Sequence, residues 1–422
     1  MQDAATGAHA LRSRGQGGRA FTAGGSGCTS VVVFGAGAFG QLGNGSEHEV
    51  IRPTLLPGLS ALRVCAAACG DFHSAVVTAD GEIFTFGIGE YGVLGHGNDE
   101  RSVRPRRVDA LVGEHVASVS CGWRHTACLT QNGGLFTWGH GGYGQLGHGG
   151  YIHFALPLRL QSPRLPGSCR RKSNSPSSWQ QVSCGWRHTA ALAEGGVAST
   201  WGDGEHLQLG HGDRLGQPRP RLLDAFTSDA LRQLECGSHH TAAISSVGQL
   251  YTWGAGSFGQ LGHGERRAEA VPRLVVGLAA LEVTRVACGG HTCVLTAHGE
   301  MFTFGNGKHG QLGHGHCRVE ASPRSVQALR DTRVLGIACG DFHSLALTAD
   351  GCVYTWGAGG FGELGHGNLS HENKPRQLDA LRHHSLVFAA CGASHNLLLL
   401  NDAPGNETSS DEYDEDDDAA SV

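Results

Sequence analysis

Two short motifs return seven times along the 422-residue chain, at spacings that vary little. The first is the segment Phe34-Gly-Ala-Gly-Ala-Phe-Gly-Gln-Leu-Gly43. Its opening aromatic reappears as Phe86, Trp138, Trp201, Trp253, Phe304 and Trp356, at intervals of 52, 52, 63, 52, 51 and 52 residues. The second is Cys-Gly-x-x-His, beginning at Cys69, Cys121, Cys184, Cys236, Cys288, Cys339 and Cys391. The copy at Cys288 is one residue short, Cys288-Gly-Gly-His291, which accounts for the interval of 51. Self-similarity at such a period constrains a chain more than composition does: each unit must be one supersecondary module that buries its apolar surface against its neighbours.

Inside a unit the apolar period is two. His73-Ser-Ala-Val-Val-Thr and Glu82-Ile-Phe-Thr-Phe86 flank Ala79-Asp80-Gly81, an Asp-Gly hairpin signal between β-rich runs. A proline follows in every unit, at Pro53, Pro105, Pro157, Pro220, Pro272, Pro323 and Pro375. Lacking an N–H, it belongs at the start or edge of a strand. A last apolar run such as Val116-Ala-Ser-Val-Ser leads into the next Cys-Gly, making four strands per unit and no helical period. Repeated four-stranded units arranged radially are propeller blades. The 67 glycines, about twice ordinary usage, fit many tight turns. The fold expected is all-β, a seven-bladed β-propeller. The chain enters on Ser30-Val-Val-Val-Phe34, a strand without its hairpin partner, and leaves on Cys391 to Leu400, a partner without its strand. The N- and C-terminal strands are therefore expected to share one blade, which removes open edges.

The order Cys-Gly-x-x-His-Thr, hairpin, Trp-Gly-x-Gly-x-x-Gly-Gln-Leu-Gly-His-Gly resembles regulator-of-chromosome-condensation repeats over roughly residues 29–400. That family hosts exchange factors, photoreceptors and ubiquitin-ligase modules, so the resemblance implies a protein-binding propeller without fixing one activity. The division expected is a disordered leader over 1–28, the propeller over 29–401 and an acidic disordered tail over 402–422. Nine acidic residues and no Lys or Arg lie in that tail, so the formal charge of -6 becomes +3 for the rest. A near-neutral body offers no basic stripe for nucleic acid. The leader has no apolar signal segment, no run is long enough to span a membrane, and the 14 cysteines include no Cys-x-x-Cys pair. A reducing compartment, cytoplasm or nucleus, is expected, with no membrane association.

The repeated residues read as structure. Gly35-x-Gly37-x-x-Gly40 fits a dinucleotide fingerprint, but no helix or acidic ribose partner follows any copy. Leu207 replaces the third glycine in one unit, so that loop is expected to differ. Thirteen of the 26 histidines are repeat residues. Arrayed once per blade, they are expected to tie blade segments together by hydrogen bonds and not to converge on one ion. The repeated cysteines read as small buried residues. No catalytic constellation, metal site or cofactor is expected.

Function is sought where the copies disagree. The x-x pair reads Asp71-Phe72, Trp123-Arg124, Trp186-Arg187, Ser238-His239, the single Gly290, Asp341-Phe342 and Ala393-Ser394. These turns are expected on one face of the disc. Trp and Arg are common interface anchors, which makes Asp71, Trp123, Arg124, Trp186, Arg187, His239 and Asp341 the candidate partner-binding face. Local packing of both Trp rings under neighbouring loops is the competing reading. Two branches of the family bear on these positions. In guanine-nucleotide exchange factors for small GTPases, the resemblance implies acidic and His residues at such turns, here Asp71, His239 and Asp341. In the plant ultraviolet-B receptor branch it implies a light-absorbing Trp cluster at a homodimer interface. Gly122-Trp-Arg-His-Thr126 and Gly185-Trp-Arg-His-Thr189 match that branch, while a third Trp and a Val-Pro signalling peptide are missing. The long interval reflects a Pro/Ser-rich basic insertion over 162–177 carrying Arg164, Arg170, Arg171 and Lys172, which reads as a wedge or a surface loop. The partner expected is a protein, with a small GTPase or chromatin as classes and a homodimer as a further arrangement.

Overall fold

A computed structural model describes residues 29–161, 178–226, 229–382 and 384–401. The leader, the insertion with Arg164, Arg170, Arg171 and Lys172, and the acidic tail lie outside the described residues. Seven four-stranded antiparallel sheets form a ring. Blade 1 comprises Val64–Cys69, His73–Thr78, Ile83–Gly87 and Ser102–Arg107, and blades 2 to 6 repeat it. Blade 7 joins the ends: its order is Val50–Leu55, Thr29–Gly35, His395–Asn401, Ser385–Cys391. Thr29 faces Asn401 and Gly35 faces His395 in an unbroken antiparallel register, so the closure expected from the sequence is the one found.

Alternation along each strand sends side chains to opposite neighbours. Val76 and Phe86 of blade 1 pack with Val31, Val33, Leu397 and Leu399 of blade 7. Ala75, Val77 and Ile83 pack instead with Val119, Cys128 and Trp138 of blade 2. The second strand is consequently buried along its whole length. The prolines fall on the outermost strands, where the missing N–H faces away from the ladder.

The repeat histidines join the blades. His73 Nε2 meets Thr126 Oγ1 of blade 2 at 2.9 Å, and the same contact runs His125–Thr189, His188–Thr241, His240–Thr292, His291–Ser344, His343–Asn396 and His395–Ser74. Each hydroxyl already donates to a carbonyl of the preceding blade's loop, as Thr126 does to Val93 O and Thr189 to Gln145 O. With its one proton committed, it can only accept from the imidazole. The histidines are therefore neutral Nε2–H tautomers that donate, and Nδ1 is left without a partner at His73, His125, His188 and His395. The loop carbonyls serve twice: Val93, Gln145, Gln208 and Gln311 also accept the indole N–H of Trp138, Trp201, Trp253 and Trp356. The second histidine family stays within its blade, as His96 does on Thr85 and His148 on Thr137.

Glycine in Cys-Gly is dictated by this joint. A Cβ on Gly70 would lie 2.6 Å from His73 Cε1 and 2.4 Å from Gly122 O of the next blade. The loop containing Leu207 departs from expectation. Leu207 takes φ 65, just below the glycines at the same place, Gly92 at 70 and Gly144 at 79. The turn bonds from Leu207 N to Gly204 O and from Gly210 N to Leu207 O persist. Those contacts hold a side chain in the left-handed region, a local cost accepted to keep the loop.

Burial lowers the pKa of His73, His125, His188, His240 and His395 to about 3. An unfolded chain protonates these groups near pH 6.5, so stability is whole above that value and is lost as the pH falls toward 3. At pH 5 each contributes a loss of about 2 kcal/mol. Thermal melts should show the midpoint falling by roughly 10 °C between pH 7.5 and pH 5. An unchanged midpoint would refute the neutral-tautomer ring.

Candidate interaction face

Each Cys-Gly-x-x-His turn links the innermost strand to the second, so all seven emerge on one face around the central channel. The first variable residue points into the channel mouth, which is lined by Asp71, Trp123, Trp186, Ser238, Asp341 and Ala393. The second points outward, onto the Gly-rich loop of the preceding blade. Phe72 packs edge-on against Phe39 at 4.8 Å between centroids and Phe342 against His309 at 5.1 Å, while His239 meets His206 at a tilt, at 4.4 Å. Arg124 lies over Tyr91 at 5.3 Å and Arg187 over Tyr143 at 4.2 Å.

These loop residues escape a reading of the turns alone. Phe39, Tyr91, Tyr143, His206, Phe258, His309 and Phe361 occupy one place in the first motif, directly before Gly-Gln-Leu or its variant. They set a ring of aromatic and imidazole groups on the same face. Phe39, Tyr91, Phe258 and Phe361 are exposed. The signal was the recurrence of a ring-bearing residue at that position, masked by its changing identity. In blade 5, where the turn is short, Lys308 covers Phe258 instead.

The two Trp-Arg pairs form a single stack. Trp123 and Trp186 lie 5.2 Å apart, centroid to centroid, and both are half-buried. Arg124 sits 4.9 Å from Trp123, while Arg187 approaches Trp123, Trp186 and Tyr143. Each ring packs locally and is partly exposed. Arg124 pairs with Glu90. Among the described residues, Arg187 has no carboxylate partner. His140 touches Trp123, and His239 touches Trp186. Burial, helped for His140 by His153 and the two arginines and for His239 by His206 and Arg187, lowers both to about 4. At neutral pH the positive charge of this cluster thus resides on the arginines. An arginine on an aromatic platform without a counter-charge suits an acidic or carboxylate-bearing partner surface.

Asp71 and Asp341 are less free than their place in the turns suggests. Asp71 lies beside the Trp186 indole and close to Asp341, while Asp341 accepts a hydrogen bond from Ser238 at 2.9 Å. The structure therefore brings Asp71, Trp123, Trp186 and Asp341 together at the mouth and sets Arg124, Arg187 and His239 on the surrounding shelf.

Below the mouth the channel is lined by all seven repeat cysteines, with Glu235 and Arg285. Its cavity of about 210 Å³ is below the usual range for metabolite pockets. Burial raises the thiols, Cys69 and Cys184 to about 12, which suits packing and not nucleophilic chemistry. One group of ligand-type side chains comes together between two blades. His291 and Cys293 of blade 5 and Cys339 of blade 6 place one ligand atom each within 4.8 Å of one another. Adjacent blades approach closely enough for this because the second strand of one lies beside the innermost strand of the next. The strands flanking the insertion, Phe154–Leu160 and Trp179–Cys184, meet it at the hairpin end of the blades, opposite the Trp-Arg face.

Burial, and then the Asp341 carboxylate, hold the Asp71 carboxyl well above its ordinary range. A raised carboxyl carries no penalty below its unfolded value and an increasing one as pH rises beyond it. Asp71→Asn should therefore raise the melting midpoint at pH 7 and leave it unchanged near pH 3. A lower midpoint at pH 7 would mean that the charged form is supported.

The comparisons with known proteins agree with this architecture. The family model described as RCC1-like domain matches residues 30–398. The chain is 33% identical over 375 residues to the E3 ubiquitin-protein ligase HERC2 of Mus musculus, covering 87% of this chain and 8% of that protein. It is 34% identical over 353 residues to the Ultraviolet-B receptor UVR8 of Arabidopsis thaliana, covering 83% of this chain and 78% of the receptor. The crystal structure of Prp20p from Saccharomyces cerevisiae, described with its binding properties to Gsp1p and histones, matches with a TM-score of 0.78. There the identity is 20%, over 89% of this chain and 92% of Prp20p, and the likeness is one of fold. Among the described residues no helix is long and apolar enough to cross a membrane. Seven closed blades, the imidazole joints and the family match lead to one conclusion: the chain belongs to the RCC1-like domain family.

Proposed function

We propose that the propeller is a protein-interaction platform and that the Trp123–Trp186 stack with Arg124 and Arg187 is its anchor. The observation carrying this reading is the open indole–guanidinium cluster at the channel mouth, ringed by exposed Phe39, Tyr91, Phe258 and Phe361. Aromatic and arginine side chains that keep an open face while their neighbours are fixed are the usual hot spots of an interface. The partner is a protein with an acidic patch that meets Arg187: a small GTPase whose nucleotide exchange the propeller regulates, or a member of an assembly that it scaffolds. Prp20p, which shares the fold, is described as binding Gsp1p and histones, which supports the GTPase class and adds chromatin as a second one. Twelve free cysteines among the described residues suit a reducing compartment, cytoplasm or nucleus.

Affinity capture with the wild type and with Trp123→Ala/Trp186→Ala tests the platform. The double variant should lose each partner by about 2 kcal/mol or more, a thirtyfold weakening. Retention of every partner would reduce the stack to packing. On purified small GTPases, accelerated nucleotide release that falls with Asp71→Ala, His239→Ala and Asp341→Ala would establish exchange. Release at the uncatalysed rate across the panel would leave the scaffold.

A second reading is an ultraviolet-B-sensing homodimer. It is favoured by the contact between Trp123 and Trp186, each under a guanidinium, and by the similarity to UVR8. Sizing before and after illumination in the indole band should then show a dimer turning to monomer. Trp123→Phe/Trp186→Phe should abolish the change, and a light-independent size would end this reading.

A further inference from the structure

Blade 5 departs from the other six at two places that meet in space. Its turn lacks one residue, Cys288-Gly-Gly-His291. Its second strand carries Cys293 where Ala75, Ala127, Ala190, Ala242, Leu345 and Leu397 stand in the others. Elsewhere the glycine of Cys-Gly closes against the imidazole edge: a Cβ there would lie 2.6 Å from His73 Cε1, 2.4 Å from His188 Cε1 and 2.3 Å from His343 Cε1. At Gly289 the nearest atoms are instead Gly340 O and C and Cys339 Cβ. The missing residue has withdrawn the glycine from His291, and the space nearby belongs to Cys339 of blade 6. His291, Cys293 and Cys339 are all buried, and His291 Nδ1 has no hydrogen-bond partner.

We propose that His291, Cys293 and Cys339 form a binding site for Cu(I), clamping blade 5 to blade 6. Two sulfurs and one imidazole nitrogen are soft donors, which select a thiophilic ion over Mg²⁺ or Ca²⁺. Within 4.8 Å of one another, the three ligand atoms need to draw in only slightly to reach metal–sulfur distances of about 2.3 Å. The number of donors separates the candidates further. A structural zinc site calls for four ligands, and the polar atoms beside the sulfurs, Ala287 O at 3.3 Å from Cys339 Sγ and Ser344 Oγ, which already donates to Gln311 O, are no thiolate or imidazole. Cu(I), a d¹⁰ ion content with three ligands, fits the set as it stands. Both sulfurs bind as thiolates, so any proton they carry goes to solvent, and no oxidation state changes at the ion or at sulfur.

The test uses the full chain, reduced and anaerobic, titrated with Cu(I) against a chromophoric Cu(I) chelator, with native mass spectrometry for stoichiometry. Because the channel thiols and Cys65 could also take copper, the decisive comparison is Cys293→Ala, which installs the residue that four other blades carry and so preserves the fold. The wild type should hold one equivalent that Cys293→Ala binds at least about tenfold more weakly. Cys65→Ala and Cys128→Ala should retain it. The bound ion should also raise the melting midpoint of the wild type and not that of Cys293→Ala. Equal affinity in wild type and Cys293→Ala would overturn the site. Tighter retention of Zn²⁺ than of Cu(I) in the same competition would overturn the assignment of the ion. Peptide mapping that finds Cys293 and Cys339 still joined as a disulfide after treatment with reductant would overturn it as well.

Discussion

The ring is held shut by seven imidazole-to-hydroxyl or imidazole-to-amide hydrogen bonds, each donated by one blade to the next. Everything else in the repeat is arranged around that donor. The hydroxyl must already be committed to a loop carbonyl so that it accepts, and the loop must be tight enough to bring the carbonyl there. The residue before the turn pair must be glycine so that the imidazole can lie flat against it. A buried polar joint of this kind contributes little net stability per bond but is costly to leave unmade. It therefore fixes how neighbouring blades sit more than it adds to cohesion. Cohesion comes from the alternating side chains, which give each blade one apolar layer with either neighbour.

Once the joint is fixed, the two variable residues of each turn are delivered to set positions, one at the channel mouth and one on the shelf. The same scaffold can then display Asp, Trp, Ser, His or Phe without altering the ring. This is how a fold with near-identical blades acquires an asymmetric face. Trp123 and Trp186 are adjacent because blades 2 and 3 are, and Asp71 reaches Trp186 because the mouth is narrow.

Most of the architecture was legible because the information was periodic. The closure by residues 29–35 and 395–401 could be inferred since each end carried the half that the other lacked. That the histidines join blade segments could be inferred since they recur once per blade. What resisted was information spread across blades. The contact of Arg187 with Tyr143 needs the offset between a turn and the preceding loop, which no spacing states. The meeting of Cys293 with Cys339 needs two strands of different blades to lie side by side. Leu207 misled for another reason: intrinsic preference argues against a leucine at φ 65, but the bonds to Gly204 and Gly210 on either side outweigh it.

Strand polarity has a practical corollary. Thr29 and Asn401, paired in blade 7, lie at the hairpin end of the blades, as do Leu160 and Trp179 beside the insertion. Polypeptide attached before residue 29 or after residue 401 thus starts from the side away from the Trp-Arg cluster. A chain tethered to a sensor surface by either end would present that cluster to solution, whereas coupling through Lys308, which lies over Phe258, would attach it by that face. Fluorophores or affinity handles at the ends would likewise begin on the far side of the disc from whatever docks at the mouth.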